Sequence, residues 1–217
     1  MEIIAFEGLD KSGKHTMSVE FAEELRRLGN NVVQSEFHRY DTPTGQLIND
    51  WLHNEYPVSD RTIEMIMMAD KEAQQDWFNS LETQGVDYLI LDRYILSEYA
   101  YASYKDLYSE GPKLIELIDE GQKAWRKPDK TYYIDIPANV SMERKGQHGD
   151  NDRYESDKNL LNHVRGYYQD AINSPLVGKH MIWVEGNRDI EEIKSWMRYA
   201  AQQEVQGLIP AEPADAF

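Results

Sequence analysis

Residues 6 to 16 read Phe-Glu-Gly-Leu-Asp-Lys-Ser-Gly-Lys-His-Thr and follow directly on the short apolar run Ile3 to Phe6. This is the spacing G-x-x-x-x-G-K at a strand-to-helix turn. It constrains the fold because a strand must deliver the glycines and a helix must leave from them. Gly8 and Gly13 permit a tight path on which successive N–H groups point at phosphate oxygens, with Ser12 between them. Lys14 adds a point charge between the β and γ positions, and the helix from about residue 14 to 28 adds its N-terminal dipole. A nucleoside triphosphate is the implied ligand. One position departs from the motif: the residue after the lysine is normally a Ser or Thr whose hydroxyl ligates Mg²⁺, and here it is His15, with Thr16 one place late.

Further apolar runs at 32–34, 88–91, 131–136 and 181–184 are short and rich in β-branched or aromatic residues. Stretches of helical periodicity separate them, at 14–28, 44–53, 60–83, 95–105, 112–124, 138–145, 154–173 and 189–203. Strands alternating with helices imply an α/β fold in which a central five-stranded parallel sheet carries helices on both faces. Such sheets bind ligands beyond the carboxyl ends of their strands. The loop at 8–13, the segment 37–45 and Asp92-Arg93-Tyr94 therefore face one crevice.

With 217 residues and 41% apolar content, one domain over 1–205 is the simplest expectation, followed by a mobile tail at 206–217. The chain has no cysteine, which excludes disulfides, thiolate nucleophiles and cysteine-bound zinc. No apolar run approaches the roughly 18 residues a membrane span needs, and the N-terminus enters a strand at once, so a cytoplasmic protein without a membrane partner is expected. The formal charge of −16 opposes binding to a nucleic-acid polymer but not to a mononucleotide, which a few placed cations can hold.

Tyr88 to Asp92 is an apolar strand ending in a carboxylate, the arrangement by which phosphate-loop enzymes hold or orient Mg²⁺. Together, Phe6 to Lys14, Asp92-Arg-Tyr-Ile-Leu-Ser97, Pro128-Asp129 before the strand Tyr132 to Ile136, and Asp152-Arg-Tyr-Glu155 make residues 3 to 195 resemble the thymidylate kinases. The resemblance implies a P-loop NTPase three-layer fold and transfer of the ATP γ-phosphoryl group to dTMP or a related deoxypyrimidine monophosphate. It implies that Asp10 approaches the acceptor's sugar and phosphate, and that Lys11 stands where an arginine can reach the transferring group. Arg93 and Arg39 match the family's acceptor-phosphate arginines, with Tyr40 an alternative at the second position. The family's Phe-x-x-x-Arg base contact falls on Met67 and Lys71, which share a helix face while both side chains change, leaving the base open among thymine, uracil and 5-substituted uracils. Ser97 and Tyr101 follow on the next helix, with Tyr101 against the deoxyribose.

Residues 143–155, polar and glycine-containing, suit a lid that excludes water from the phosphates. Arg153 matches the arginine before Tyr-Glu, Tyr154 its sugar-side neighbour, and Arg144 or Lys145 reaches the transferring group. Glu7 either arranges metal-bound water or hydrogen-bonds the loop backbone. Asp92, Asp10 and Glu7 are the metal candidates, acting through water. The family also implies a homodimer. Two rivals stand beside this reading: a deoxynucleoside kinase, which needs a carboxylate base near the first loop, and a nucleotide-binding sensor that has lost catalysis.

Overall fold

A computed structural model describes residues 1–145 and 157–210. Five strands, β1 (Glu2–Glu7), β2 (Val32–Glu36), β3 (Tyr88–Asp92), β4 (Lys130–Asp135) and β5 (His180–Glu185), form one parallel sheet in the order β2-β3-β1-β4-β5. The register sets Phe6 beside Asp92 and Glu7 beside Tyr133, so the carboxyl ends of the three central strands share one edge of the sheet, with β4 running on past the partner of Glu7 to Asp135. Nine helices accompany them among the described residues: α1 (Lys14–Arg27), α2 (Pro43–Leu52), α3 (Asp60–Ala73), α4 (Gln75–Thr83), α5 (Ile95–Asp106), α6 (Leu114–Gly121), α7 (Ala138–Lys145), α8 (Lys158–Asp170) and α9 (Ile190–Val205). This is the expected α/β architecture. None of the described helices is long and apolar enough to cross a membrane.

The strands read as continuous apolar runs because both faces are covered. Alternate residues serve opposite cores. Ile4 and Phe6 pack with Met17, Phe21 and Leu25 of α1 and with Trp196 and Met197 of α9. Ile3 and Ala5 face Phe78 of α4 and Ile95, Tyr99 and Ala102 of α5. α1, leaving β1, and α5, leaving β3, therefore lie on opposite faces although their strands are neighbours. The chain ends that diverge there open a crevice at the strand carboxyl ends.

Three expected helices differ in detail. The helix expected over 60–83 is two, α3 and α4, parted at Gln74. Its N–H bonds the Lys71 carbonyl three residues back (3.2 Å), and the Gln75 side chain takes the same oxygen (2.9 Å), which tightens the turn. The helix expected over 112–124 starts at Leu114, where the Asp106 carboxylate accepts from the N–H groups of Leu114 and Ile115, and passes at 122–124 into a single 3₁₀ turn. The helix expected over 154–173 starts at Lys158, where Asp157 caps the N–H groups of Asn159 and Leu160, and gives way at 171–173 to another 3₁₀ turn.

Candidate functional site

The phosphate loop depends on glycine at two points. Gly8 has φ +146°, and a Cβ there would meet the Ile134 carbonyl oxygen at 2.4 Å, so no other residue fits without moving β4. Gly13, at φ +99°, precedes the first turn of α1 and its carbonyl receives the Met17 N–H at 3.0 Å. Lys14 is buried and its Nζ donates to the Leu9 carbonyl at 2.8 Å, which folds the side chain under the loop. Burial and the nearby Arg93 charge lower the Lys14 ammonium to about 8, against the opposing pull of Asp92, Asp10 and Glu7. The Ser12 hydroxyl, also buried, has no protein partner. Lys11 stands exposed in the loop at φ +61°. From α7, Ser141 donates to the Asp10 carbonyl (2.7 Å), and Arg144 reaches the Lys11 and Gly186 carbonyls (3.3 and 3.0 Å), so this helix rests on the loop.

Arg93 occupies the left-handed region at φ +65°, held there by its N–H on the Phe6 carbonyl (2.9 Å). Its guanidinium donates to the Gly8 carbonyl (3.2 Å), to Ser97 Oγ (3.1 Å) and to the Asp10 carboxylate, and lies 5.6 Å from the Tyr101 ring centre. Asp10 also accepts from the Tyr101 hydroxyl at 3.0 Å. Burial alone would raise the Asp10 carboxyl; the charges of Arg93 and Lys14, with the Tyr101 hydrogen bond, hold it down at about 2. Asp10, Arg93, Ser97 and Tyr101 thus form one unit.

Glu7 is corrected as a metal candidate. It is fully buried and accepts from the N–H groups of Tyr94 (2.9 Å) and Ser97 (3.3 Å) and from the Ser97 hydroxyl, so it anchors the first turn of α5 and lines neither cavity described below. Burial raises its carboxyl above the ordinary range. Asp92 does reach the crevice. His15, exposed at the helix start, sets its Nδ1 3.7 Å from an Asp92 oxygen.

Two cavities meet at Asp10, Arg93, Phe37 and Tyr40. The first is floored by the loop, with Lys11, Gly13, Lys14, His15, Thr16, Glu36 and Asp92 around it. The second runs between α3 and α5, where Met67 and Lys71 face Ser97 and Tyr101, as the i, i+4 spacing implied. Arg39 is not brought to either. Asp41 and Gln74 hold its guanidinium (2.8 and 2.9 Å) over the Trp77 ring, and Tyr40 takes the place on the cavity wall. Arg153 and Tyr154, with most of the expected lid, fall outside the described residues.

The residues that shape the second cavity include several with no motif to announce them. Asp70, fully buried, accepts from His38 Nδ1 (3.1 Å), the Arg39 N–H (3.3 Å) and the hydroxyls of Thr42 and Thr44 (3.1 and 2.8 Å), which ties the segment after β2 to α3. Lys71 pairs with Glu98, and Glu64 pairs with Lys105 at 3.3 Å. A signal for the last four was present: Glu64 and Lys71, like Glu98 and Lys105, are opposite charges two helical turns apart on one face.

The thymidylate kinase family model matches residues 6–196. A thymidylate kinase of Arabidopsis thaliana is 34% identical over 153 residues, 70% of this chain and 55% of that protein. One of Plasmodium falciparum is 31% identical over 147 residues, 66% of this chain and 65% of that protein. The chain thus spans less than two thirds of the length of these two relatives. A solved structure of thymidylate kinase from Candida albicans superimposes with a TM-score of 0.74 at 24% identity, covering 95% of this chain and 92% of that one, which places the fold. With the family model matched over nearly the whole sheet and its crevice, this chain belongs to the thymidylate kinase family.

Proposed function

We propose that the protein transfers the γ-phosphoryl group of ATP to the 5′-phosphate of dTMP or a related deoxypyrimidine monophosphate, giving the diphosphate. The observation that carries this reading is the junction of the two cavities at Arg93 and Asp10, which puts a fixed guanidinium between a triphosphate loop and a separate slot. Transfer between two phosphates needs alignment and charge neutralisation more than a base, because the attacking oxygen is already anionic. In this reading Lys14 and the loop N–H groups, with Ser12 and Gly13, bind the β- and γ-phosphates, and Lys11 and Arg144 stand over the transferring group. Arg93 holds the acceptor phosphate, and Asp10 fixes Arg93 and faces the sugar beside Tyr101. Ser97 supports Arg93 from below. Met67 and Lys71 meet the base. Arg153 and Tyr154 belong to a lid at 143–155 that completes a single kinase domain over 1–205.

Mg²⁺ fits the donor set present. Asp92 and Glu36 line the triphosphate cavity with hard oxygen donors, and no cluster of three or more metal-ligating side chains exists among the described residues. A Mg²⁺ that keeps its waters and takes most ligands from the nucleotide suits that sparse set. Asp92 would hold it through water beside His15 and Thr16, and bound there it would neutralise phosphate charge. A cytoplasmic homodimer belongs to the same reading, supported by the family alone.

The nucleoside-kinase rival requires a free carboxylate base. Asp10 is paired with Arg93 and held near 2, and Glu7 is enclosed by α5, so neither offers one. The test is a diphosphate assay by chromatography with ATP and Mg²⁺ over dTMP, dUMP and thymidine. Conversion of a monophosphate, with thymidine untouched, is expected. Phosphorylation of thymidine would replace the reading with the nucleoside kinase, and ATP binding without any product would replace it with the sensor.

A further inference from the structure

The slot between α3 and α5 contains two buried Lys–Glu pairs where one would serve a pyrimidine edge. Lys71 of α3 meets Glu98 of α5, and seven residues away on each helix Glu64 of α3 meets Lys105 of α5. The order is reversed on the two helices, so they run antiparallel here and present two rungs of opposite polarity about 10 Å apart along the axes. Met67 and Tyr101 lie between the rungs on the same wall. Glu64 and Lys71 are each 1% exposed and Glu98 5%. Despite its lysine, each carboxylate keeps one oxygen without a hydrogen-bond partner: Glu64 Oε1 and Glu98 Oε1 are both buried, and all four side chains line the cavity. An unanswered carboxylate oxygen at such depth is costly, which gives a polar ligand group a site to fill.

The pattern specifies what that group must be. The Lys71–Glu98 rung offers one donor and one acceptor, which complements the O4 acceptor and N3–H donor of a uracil edge. The Glu64–Lys105 rung offers the same two functions again, and a uracil ring has no second edge of that kind on its C5 side. A methyl group there answers neither function. A hydroxyl answers both. Burial, opposed by Lys105 and reinforced by Glu98, raises the Glu64 carboxyl above its ordinary range, and a hydroxyl can accept from the acid form or donate to the carboxylate, whereas an amino group can only donate.

Resting on the kinase reading above, we infer that Glu64, Glu98, Lys71 and Lys105 are the base-selecting residues of this chain. The acceptor they select is a deoxyuridine monophosphate with a hydroxylated C5 substituent, of the 5-hydroxymethyl class, in preference to dTMP. A site built to hydrogen-bond a substrate group discriminates strongly against the analogue lacking it, while an apolar pocket separates such pairs weakly.

The experiment compares 5-hydroxymethyl-dUMP with dTMP, dUMP and dCMP on the full chain, by kcat/KM with ATP and Mg²⁺ and by the equilibrium Kd of each monophosphate in calorimetry. The expected preference for 5-hydroxymethyl-dUMP over dTMP is about tenfold or more in both quantities. In the double variant Glu64→Met with Lys105→Met, which removes one rung as a neutral pair, the preference collapses to about twofold or less. Should that variant fail to fold by thermal melting, Glu64→Gln, which keeps the shape and removes the charge, is expected to lower the preference at least about threefold. Equal or better use of dTMP or dCMP, or a preference unmoved by these variants, would overturn the inference and leave the kinase reading standing. Absence of turnover with every monophosphate would remove the kinase reading instead, and the ratio of Kd values would still decide for or against the selecting role.

Discussion

At the end of the crevice formed by the loop, where the proposed reading puts the phosphates, the functional side chains are held largely by main chain, with Arg93 also paired to Asp10; at the end between α3 and α5, where it puts the base, they are held by one another. Lys14 bends onto the Leu9 carbonyl, Arg93 is fixed by its own N–H on Phe6 and by the Gly8 carbonyl, and Gly8 itself is pinned against Ile134. Between α3 and α5, Lys71 answers Glu98, Lys105 answers Glu64, and Asp70 gathers His38, Thr42 and Thr44. A frame made of backbone tolerates few changes of sequence, because strand register and glycine conformation set it. A frame made of side-chain pairs can be rewritten two residues at a time. In the proposed kinase reading, the chemistry of transfer therefore sits on the end that is hard to alter, and the choice of acceptor on the end that is easy to alter.

The largest test of that contrast is Lys14→Ala. The lysine is buried under the loop and its charge is one that loop N–H groups cannot replace, so turnover of the best acceptor should fall about 10³-fold or more, with the acceptor's Kd changed far less. Single-turnover kinetics with calorimetry for the monophosphate separates the two. A matched loss in both would mean that the phosphate end also shapes the acceptor slot, and the division into two independently held ends would break.

Lys71→Met addresses the other end. It leaves Glu98 buried with neither oxygen paired, and removing one member of a buried pair costs about 3 to 5 kcal/mol. Adding Glu98→Leu should return most of that loss, because a neutral pair of similar volume has no charge to bury. Urea midpoints of the two variants and their parent read this directly. A double variant as unstable as the single would show that the slot depends on its backbone after all.

How far these ends could be read from the chain follows the same division. The loop from Gly8 to Lys14 was legible because its bonds are local and each residue type has a conformational reason. The parallel sheet was legible because strands buried on both faces lose polar alternation. Met67 and Lys71 were legible as a pair because i, i+4 spacing fixes a helix face. Arg39 and Tyr40 were not separable, since both follow β2 and what decides between them is Asp41 and Gln74 holding the guanidinium over Trp77. Glu7 resisted for a similar reason: its partners, Tyr94 and Ser97, are 87 and 90 residues away. The rungs join residues 27 and 41 apart, and only the antiparallel crossing of α3 and α5 brings them together.

Acid sharpens the comparison further, with a smaller effect. Burial alone would raise the Asp70 carboxyl, but hydrogen bonds from His38 and Thr44 and the charges of His38 and Lys71 outweigh it and hold the group at about 2, below an ordinary value of 3.8. A carboxylate held below its unfolded value stabilises the fold where it is ionised, so its contribution is complete above about pH 4 and is lost as pH falls toward 2. The depression corresponds to about 2 kcal/mol, and in Asp70→Asn that acid-dependent contribution should be absent. Because Asp70 ties the segment after β2 to α3 and makes no contact with the phosphate loop, the loss belongs to the base end. The measurement is unfolding free energy between pH 5 and pH 2 in the parent and in Asp70→Asn, with hydrogen exchange in residues 38–44 and 9–14. Protection in 38–44 should fall first in the parent, and equal loss in both segments would mean that one cooperative scaffold, rather than two, holds the crevice.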